Sequence, residues 1–373
     1  MQKEYLITIG KNEYPYYYSD NSMSLFTQLT CNYEADTYFL LYDDNLPIEM
    51  INSMKNIFEI KKQCILIGIK CSESQKDLST LNSVIEDIIL RGATRKSILV
   101  AVGGGILGNI VGLAASLIYR GIPFIHVPTT IIAAADSVLS LKQAINSNKG
   151  KNMIGSFYAP KAIFTDYNFF ASLSSRDISA GVVELVKNVL TIIPEDIKIF
   201  NSLIKEDWHS ENYINKVIEL SIKAKNLVLK NDKFENRDGL KLEYGHTTGH
   251  AVELLSKGKV NHGEGVAFGM LVAAAISKEL GNIDDEIVKL HYELLNSIKS
   301  INRLKIIKDY NEGEILDFIS HDNKRGYLKN DNNYYSYVLL KNLGECIKTG
   351  DYYLQPVKKD MIKDAISKVF AII

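Results

Sequence analysis

The stretch SILVAVGGGILGNIVGLAASLIY, residues 97–119, carries no charged side chain, and its reading decides the fold. As one apolar run it is long enough to suggest a membrane span. Glycines at 103, 104, 105, 108 and 112 argue against that reading. A buried strand that runs into a glycine turn and then a buried helix explains the same letters. That arrangement is half of a βαβ unit, and the surrounding sequence supplies more of them. TYFLLYDD (37–44), CILIGI (64–69) and PFIHVPTT (123–130) read as further buried strands, each ending in a polar, Gly- or Thr-rich loop. The helical pattern LSTLNSVIEDIILRGA lies between two of them. Strands alternating with helices imply a mostly parallel sheet, whose ligands sit at the carboxyl ends of the strands.

At one such end, AVGGGILGN satisfies GxGxxG through Gly103, Gly105 and Gly108. Backbone amides at a helix start can hold a pyrophosphate, because glycine permits close approach and the helix N-terminus is electropositive. The usual dinucleotide fingerprint also places a carboxylate at the end of the next strand, and PFIHVPTT has none. Asp43 and Asp44 end an earlier strand, so a ribose-binding carboxylate would come from upstream. Nucleotide binding and a pure turn or packing role both remain open at this point.

After FYAPKAIFTDYNFF the texture changes to helical spacing with few β signals. The expected organisation is an α/β domain over residues 1–170 and a mainly α-helical domain over 171–373. A chain of 373 residues suits two cores better than one. Hydrophobic residues make up 46% and charged ones 23%, as in ordinary globular proteins. The formal charge is −1, with no basic block beyond pairs such as Lys61–Lys62, which argues against a nucleic-acid partner. The four cysteines form no CxxC pair, and MQKEYLITIG lacks the pattern of a secretory signal. A reduced, cytoplasmic protein with no membrane span is expected.

The second half holds KLEYGHTTGHAVELL (241–255), in which His246 and His250 share a helix face, followed by His262 in NHGEG. A zincin motif would need glutamate directly after the first histidine, and Thr247 stands there. A metal held by neutral imidazoles and a carboxylate, with one position left for substrate oxygen, fits the residue types. So do ordinary helix-face histidines, and so does a metal-free acid–base site. In the first half, Lys142, Lys149 and Lys151 crowd a stretch with Asn146 and Asn152. Lysine suits phosphate as a point charge, although a solvated hairpin explains the same stretch.

Taken together these stretches resemble the sugar phosphate cyclases, the family of 3-dehydroquinate synthase, over nearly the whole chain. The collinear landmarks are SESQK (72–76), GGGILGN, YRG (119–121), PTT (128–130), DSVLSLK (136–142), KNMIG (151–155), ELVKN (184–188), EYGHTTGHAVE (243–253), NHGEG and HDNKRGY (321–327). The resemblance implies an N-terminal Rossmann-like NAD domain and a C-terminal, mainly helical, metal-binding domain, with the active site between them. It implies NAD and a divalent metal, zinc or cobalt, as cofactors, a small sugar phosphate as substrate, and a homodimer. Metal ligands would fall on Glu184, His246 and His262. NAD contacts would fall on Asp43, Glu73, Lys76, Gly103, Gly104, Gly105, Asn109, Thr129, Thr130, Asp136 and Lys151. Asn152, Lys187, Lys225, Lys324 and, across a dimer interface, Arg120 match positions that hold substrate. Lys142, Glu243 and His250 match positions at the reacting centre.

Departures from the dehydroquinate synthase pattern narrow the substrate. LSLKQA replaces the usual SGGKT, Glu243 replaces an asparagine, and Gly239 stands where an arginine would meet the substrate carboxylate. Losing such a charge-assisted partner costs a carboxylate substrate about 1.5–3 kcal/mol. A neutral sugar phosphate is therefore the better candidate, and SLKQA together with EYGHTTGH resembles a branch of the family for which glucose 6-phosphate is the expected substrate. The expected reaction eliminates phosphate and closes a carbocycle, with no net redox change. Dehydroquinate synthase activity and a metal-dependent polyol dehydrogenase are the alternatives. Ser72 in place of glycine and Asn109 in place of aspartate bear on the NAD contacts.

Overall fold

A computed structural model describes residues 2–148, 150–299, 301–320, 324–328 and 333–373. Lys149, and His321, Asp322 and Asn323 of the HDNKRGY landmark, lie outside the described residues. The chain forms two compact units, Met1–Ser174 and Ser175–Ile373.

In the first unit, strands β1 (Lys3–Ile9), β2 (Asn12–Ser19), β3 (Thr37–Asp43), β4 (Gln63–Ile69), β5 (Ile98–Gly103), β6 (Phe124–Pro128) and β9 (Ile163–Asp166) build one sheet. Its order is β1-β2-β9-β6-β5-β3-β4, parallel throughout except for the β1–β2 hairpin. Strands β7 (Lys142–Ser147) and β8 (Gly150–Phe157) form a separate antiparallel hairpin. Helices α1 (Ser22–Asn32) and α2 (Ile48–Glu59) cover one face of the sheet, and α3 (Leu78–Leu90) and α4 (Gly105–Leu117) cover the other.

Side chains alternate across a strand, so each central strand feeds both cores. Tyr38, Leu40, Val100 and Val102 pack with Phe26, Met54 and Phe58; Phe39, Leu41, Leu99 and Ala101 pack with Leu81, Ile88, Val111 and Ala114. Burial on both faces is why these strands read as continuous apolar runs. Residues 97–119 are resolved as strand, turn and a 13-residue helix. Among the described residues no helix is long and apolar enough to cross a membrane.

His126 sits in β6, 3% exposed, edge-on to Phe124, and its Nε2 has no hydrogen-bond partner among the described residues. Burial pushes its pKa down to about 3. In the unfolded chain an imidazole titrates near 6.5, so the unfolded state binds more protons between those values. The stability contributed by neutral His126 is therefore complete above about pH 6.5 and is lost as pH falls toward 3, at about 1.4 kcal/mol per pH unit. Urea unfolding should show a lower midpoint at pH 5 than at pH 7.5, and His126→Leu should flatten part of that slope. An identical slope in the variant contradicts this assignment.

The second unit is mainly helical: α6 (Ser175–Thr191), α7 (Ile197–Leu203), α8 (Glu211–Leu229), α9 (His246–Leu255), α10 (His262–Glu279), α11 (Asp285–Ser297), α12 (Glu312–Ile319) and α13 (Lys359–Ile372). Short ribbons pair Tyr334–Tyr337 with Gln355–Lys358 and Leu340–Asn342 with Glu345–Cys346. Helix α10 is buried over most of its length and packs on α6, α9, α11 and α13. It is the axis around which this unit is built.

Candidate active site

Strand register collects most of the expected dinucleotide contacts at one edge of the first unit's sheet. Tyr42 pairs with Val102, which sets Asp43 beside Gly103 at the carboxyl ends of β3 and β5. Gly103 pairs with Pro128, and the Thr129 amide donates to the Gly103 carbonyl at 3.0 Å, bringing Thr129 and Thr130 to the glycine turn. Thr130 caps the short helix α5 (Ile131–Ala135), which ends at Asp136. Gly104 is the N-cap of α4, so the turn Gly103–Gly105 opens a helix whose positive end faces this edge.

Loop and hairpin residues form a connected polar cluster in the same unit. Lys151 Nζ lies 3.1 Å from Glu73 Oε1, Lys76 Nζ donates to Asn152 Oδ1 at 2.5 Å, and Asn146 Nδ2 donates to Glu73 Oε1 at 2.7 Å. The Asn152 amide donates to Asn146 Oδ1 at 2.9 Å, with Asn152 in a left-handed conformation at φ 53°. Asn146 thus joins Glu73 to Asn152, a role that spacing alone did not assign. Asn109 is engaged inside the fold: its Nδ2 donates to Gly105 O at 2.8 Å and its Oδ1 accepts from the Ala144 amide at 2.9 Å. It fastens α4 to β7, where Lys142 is the first residue. Arg120 is not brought to this edge. It lies between α4 and β6, at the amino ends of the strands, exposed, in a left-handed run of Tyr119, Arg120 and Gly121 with φ of 51°, 66° and 128°. Arg95 Nη1 to the Tyr119 carbonyl, at 2.8 Å, clamps that corner.

The second unit gathers Glu184 from α6, His246 from the start of α9 and His262 from the start of α10. Two local devices set the helix starts. Arg176 forks onto Glu264, Nε and Nη2 each at 2.7 Å, and Glu264 completes a capping box with Asn261 at the head of α10. Gly263 lies so close to α6 that a Cβ there would come 2.5 Å from Ala180 Cα. His262 is thereby held against the helix that carries Glu184.

His262 Nε2 is 3.4 Å and His246 Nε2 is 3.7 Å from Glu184 Oε1. Glu184 is fully buried, and its Oε1 has no hydrogen-bond partner among the described residues, while Oε2 pairs with Lys187. His246 Nδ1 lies 3.2 Å from the Tyr244 carbonyl, which fixes the proton there and leaves Nε2 as a lone pair. Metal bonds of about 2.0–2.2 Å put neighbouring ligand atoms of a tetrahedral site roughly 3.4 Å apart. The three residues fit a divalent cation on distance, donor type and the otherwise unexplained buried oxygen.

Electrostatics agree. Burial would raise the Glu184 carboxyl, but Lys187 and then His246 hold it well below the carboxylate range. Burial pushes His246 down to about 4. Burial also opposes charge on His262, yet the carboxylates of Glu184 and Glu253 on either side of the ring outweigh it and push that imidazole up to about 10. A proton held there occupies the place of a cation between carboxylates. His250, its ring 5.0 Å from that of His246, is kept well below the ordinary value, by burial first and then by the two neighbouring histidines.

Lysine is almost never fully buried unless paired. Lys187 is 1% exposed on α6 and Lys324 is 2% exposed, with its Nζ 3.3 Å from Glu243 Oε2. Lys225 is buried on α8, which packs on α6. Glu243 ends the turn Asp238–Glu243 that leads into α9. Where the carboxylate-binding arginine was expected to be missing, the Gly239 amide donates to the buried Asp232 at 2.8 Å.

Family comparison places these residues in context. Residues 66–180 match the 3-dehydroquinate synthase N-terminal domain and residues 181–325 the C-terminal domain. A 2-deoxy-scyllo-inosose synthase of Niallia circulans is 38% identical over 335 residues, covering 89% of this chain and 90% of the relative. One from Streptomyces ribosidificus is 41% identical over 304 residues, covering 81% and 77%. The crystal structure of a 2-deoxy-scyllo-inosose synthase complexed with carbaglucose-6-phosphate, NAD+ and Co2+ superposes with a TM-score of 0.88 at 32% identity, covering 98% of this chain and all of that one. The chain belongs to the 3-dehydroquinate synthase family of sugar phosphate cyclases.

Proposed function

We propose that the chain is a 2-deoxy-scyllo-inosose synthase, a carbon–oxygen lyase that turns glucose 6-phosphate into a carbocyclic ketone with release of phosphate. The product is the starting ring of 2-deoxystreptamine aminoglycosides. The carrying observation is the buried Glu184 Oε1, which makes no hydrogen bond among the described residues and faces two imidazole Nε2 atoms. It is supported by relatives that carry this activity and by the ligand set of the related crystal structure.

Glu184, His246 and His262 would hold zinc or cobalt, since imidazole and carboxylate serve both. NAD would lie along Asp43, Glu73, Lys76, Gly103, Gly104, Gly105, Asn109, Thr129, Thr130, Asp136 and Lys151. When bound, the cation supplies Lewis acidity at the sugar hydroxyls and NAD a hydride store for transient oxidation at C4. Oxidation at C4 acidifies the C5 proton, and Glu243 takes that proton so that phosphate leaves C6. Lys324, its Nζ 3.3 Å from Glu243 Oε2, holds that carboxylate in place. Lys142 and His250 hold the phosphate, and Lys142 supplies a proton as it leaves. Lys187, Lys225 and Asn152 hold substrate hydroxyls or phosphate. The bound dinucleotide would also supply the return hydride at C4, so that the opened hemiacetal leaves an enol able to close on the C1 aldehyde. Arg120, at the opposite edge of its own sheet, would serve the partner's site in a homodimer. The cysteines are free thiols, in keeping with a reduced cytoplasm.

Substrate choice gives the test. Inorganic phosphate should appear with glucose 6-phosphate, and about 10- to 150-fold more slowly with the seven-carbon acid phosphate used by dehydroquinate synthase, given about 1.5–3 kcal/mol lost with the missing guanidinium. Preference for the acid overturns the assignment.

A further inference from the structure

Among the described residues, two overlapping sets of side chains can gather ligand atoms within 4.8 Å: Glu184, His246 and His262, and His250, Glu253 and His262. They share the ring of His262, one on each nitrogen. Nε2 faces Glu184 Oε1 at 3.4 Å, and Nδ1 faces Glu253 Oε2 at 3.2 Å. A neutral imidazole carries a single N–H, so both nitrogens cannot play the same part.

We propose that Glu253 is the positioning residue of the metal centre, accepting the Nδ1 proton of His262 and so fixing the tautomer whose Nε2 lone pair faces Glu184 and His246. The inference rests on the metal-centre reading above. Burial decides between the two sets. An ion on Nε2 takes up the fully buried carboxylate of Glu184 and the buried ring of His246, whereas His250, Glu253 and His262 all keep part of their surface exposed. His246 follows the same plan, its Nδ1 held by the Tyr244 carbonyl. The two ligands thus differ in one respect: His246 leans on a neutral acceptor and His262 on a carboxylate, which raises the basicity of the ligating nitrogen.

The backbone explains how Glu253 arrives there. Helices α9 and α10 run antiparallel at very close range. A Cβ on Gly249 would come 2.8 Å from the Gly265 carbonyl oxygen, and a side chain on Gly269 would overlap the Gly245 carbonyl. Along α9 the contacts step from Gly245 to Gly249 to Glu253, and along α10 they step back from Gly269 to Gly265 to His262. Glu253 and His262 are the last rung of a glycine-spaced ladder, so the carboxylate reaches the ring from a rigid helix.

Cobalt binding to the full-length chain provides the test, read from the visible d–d absorption of Co2+ and by competition with a chelator. Glu253→Ala should weaken Co2+ binding about 10–100-fold and alter the d–d spectrum. Glu253→Gln, whose amide oxygen still accepts from Nδ1, should recover part of the affinity, and its metal-free unfolding midpoint should stay near that of the parent. Affinities within twofold of the parent in both variants overturn the positioning role. Binding that survives Glu184→Gln but is abolished by His250→Ala or Glu253→Ala overturns it in favour of an ion on Nδ1. If the parent chain binds no Co2+ at all, the metal-centre reading fails and this inference with it.

Discussion

Glu184→Gln is expected to raise the dissociation constant for Co2+ at least about 100-fold, to abolish turnover and to lower the thermal midpoint by several degrees. The first two effects follow from losing the only carboxylate of the ligand set. The third follows from Lys187, 1% exposed and paired to Glu184 Oε2. Removing one partner of a buried ion pair strands the other charge, at about 3–5 kcal/mol. The double variant Glu184→Gln, Lys187→Met should regain much of the stability and none of the metal affinity. Full metal content in inactive Glu184→Gln would remove this residue from the centre.

Glu243→Gln keeps the shape of the side chain and removes its ability to take a proton. Turnover should fall about 10²–10⁴-fold, the usual range for a general base, while Co2+ and NAD affinities stay within a few-fold of the parent. Stopped-flow measurement of phosphate release together with equilibrium binding of both cofactors checks this. Full turnover in the variant excludes Glu243 from the chemistry and leaves it as a partner for Lys324, 3.3 Å away.

What the sequence revealed and what it hid have physical causes. Strands β3, β5 and β6 were legible because both faces are largely buried, so each is a short apolar run closed by Asp, Gly or Thr, and β4 kept the apolar run CILIGI although it is a partly exposed edge strand. Strands β1 and β2 were not. KEYLITIGKNEYPYYYS is rich in tyrosine and contains Pro15, which would be excluded from a fully paired strand. Proline is tolerated there because pairing with β9 begins only at Tyr16, and because Pro15 faces Leu6 across the hairpin. Strand β9 is only four residues long, hidden in KAIFTDYN.

The histidines were legible by spacing, since His246, His250 and His262 fall close together in the chain. Glu184 was not legible from its surroundings: SAGVVELVKN is an ordinary amphipathic pattern, and only helix packing carries this carboxylate to histidines more than sixty residues away. The resemblance supplied it, and the geometry gives the reason for it. Glu253 was visible as a residue and silent as to role, because its meeting with His262 depends on the register of two helices. Asn109 shows the converse, a residue expected at the dinucleotide whose amide group is engaged within the fold.

The reaction assigned to this chain is a redox-neutral, metal-dependent loss of phosphate. It is tested most directly by following phosphate and NADH absorbance together after mixing glucose 6-phosphate with the NAD-loaded chain, once with Co2+ and once after chelation. One phosphate per glucose 6-phosphate is expected with Co2+, with no NADH left at completion and no phosphate after chelation. NADH accumulating in step with substrate consumed, or phosphate release that ignores the chelator, contradicts it.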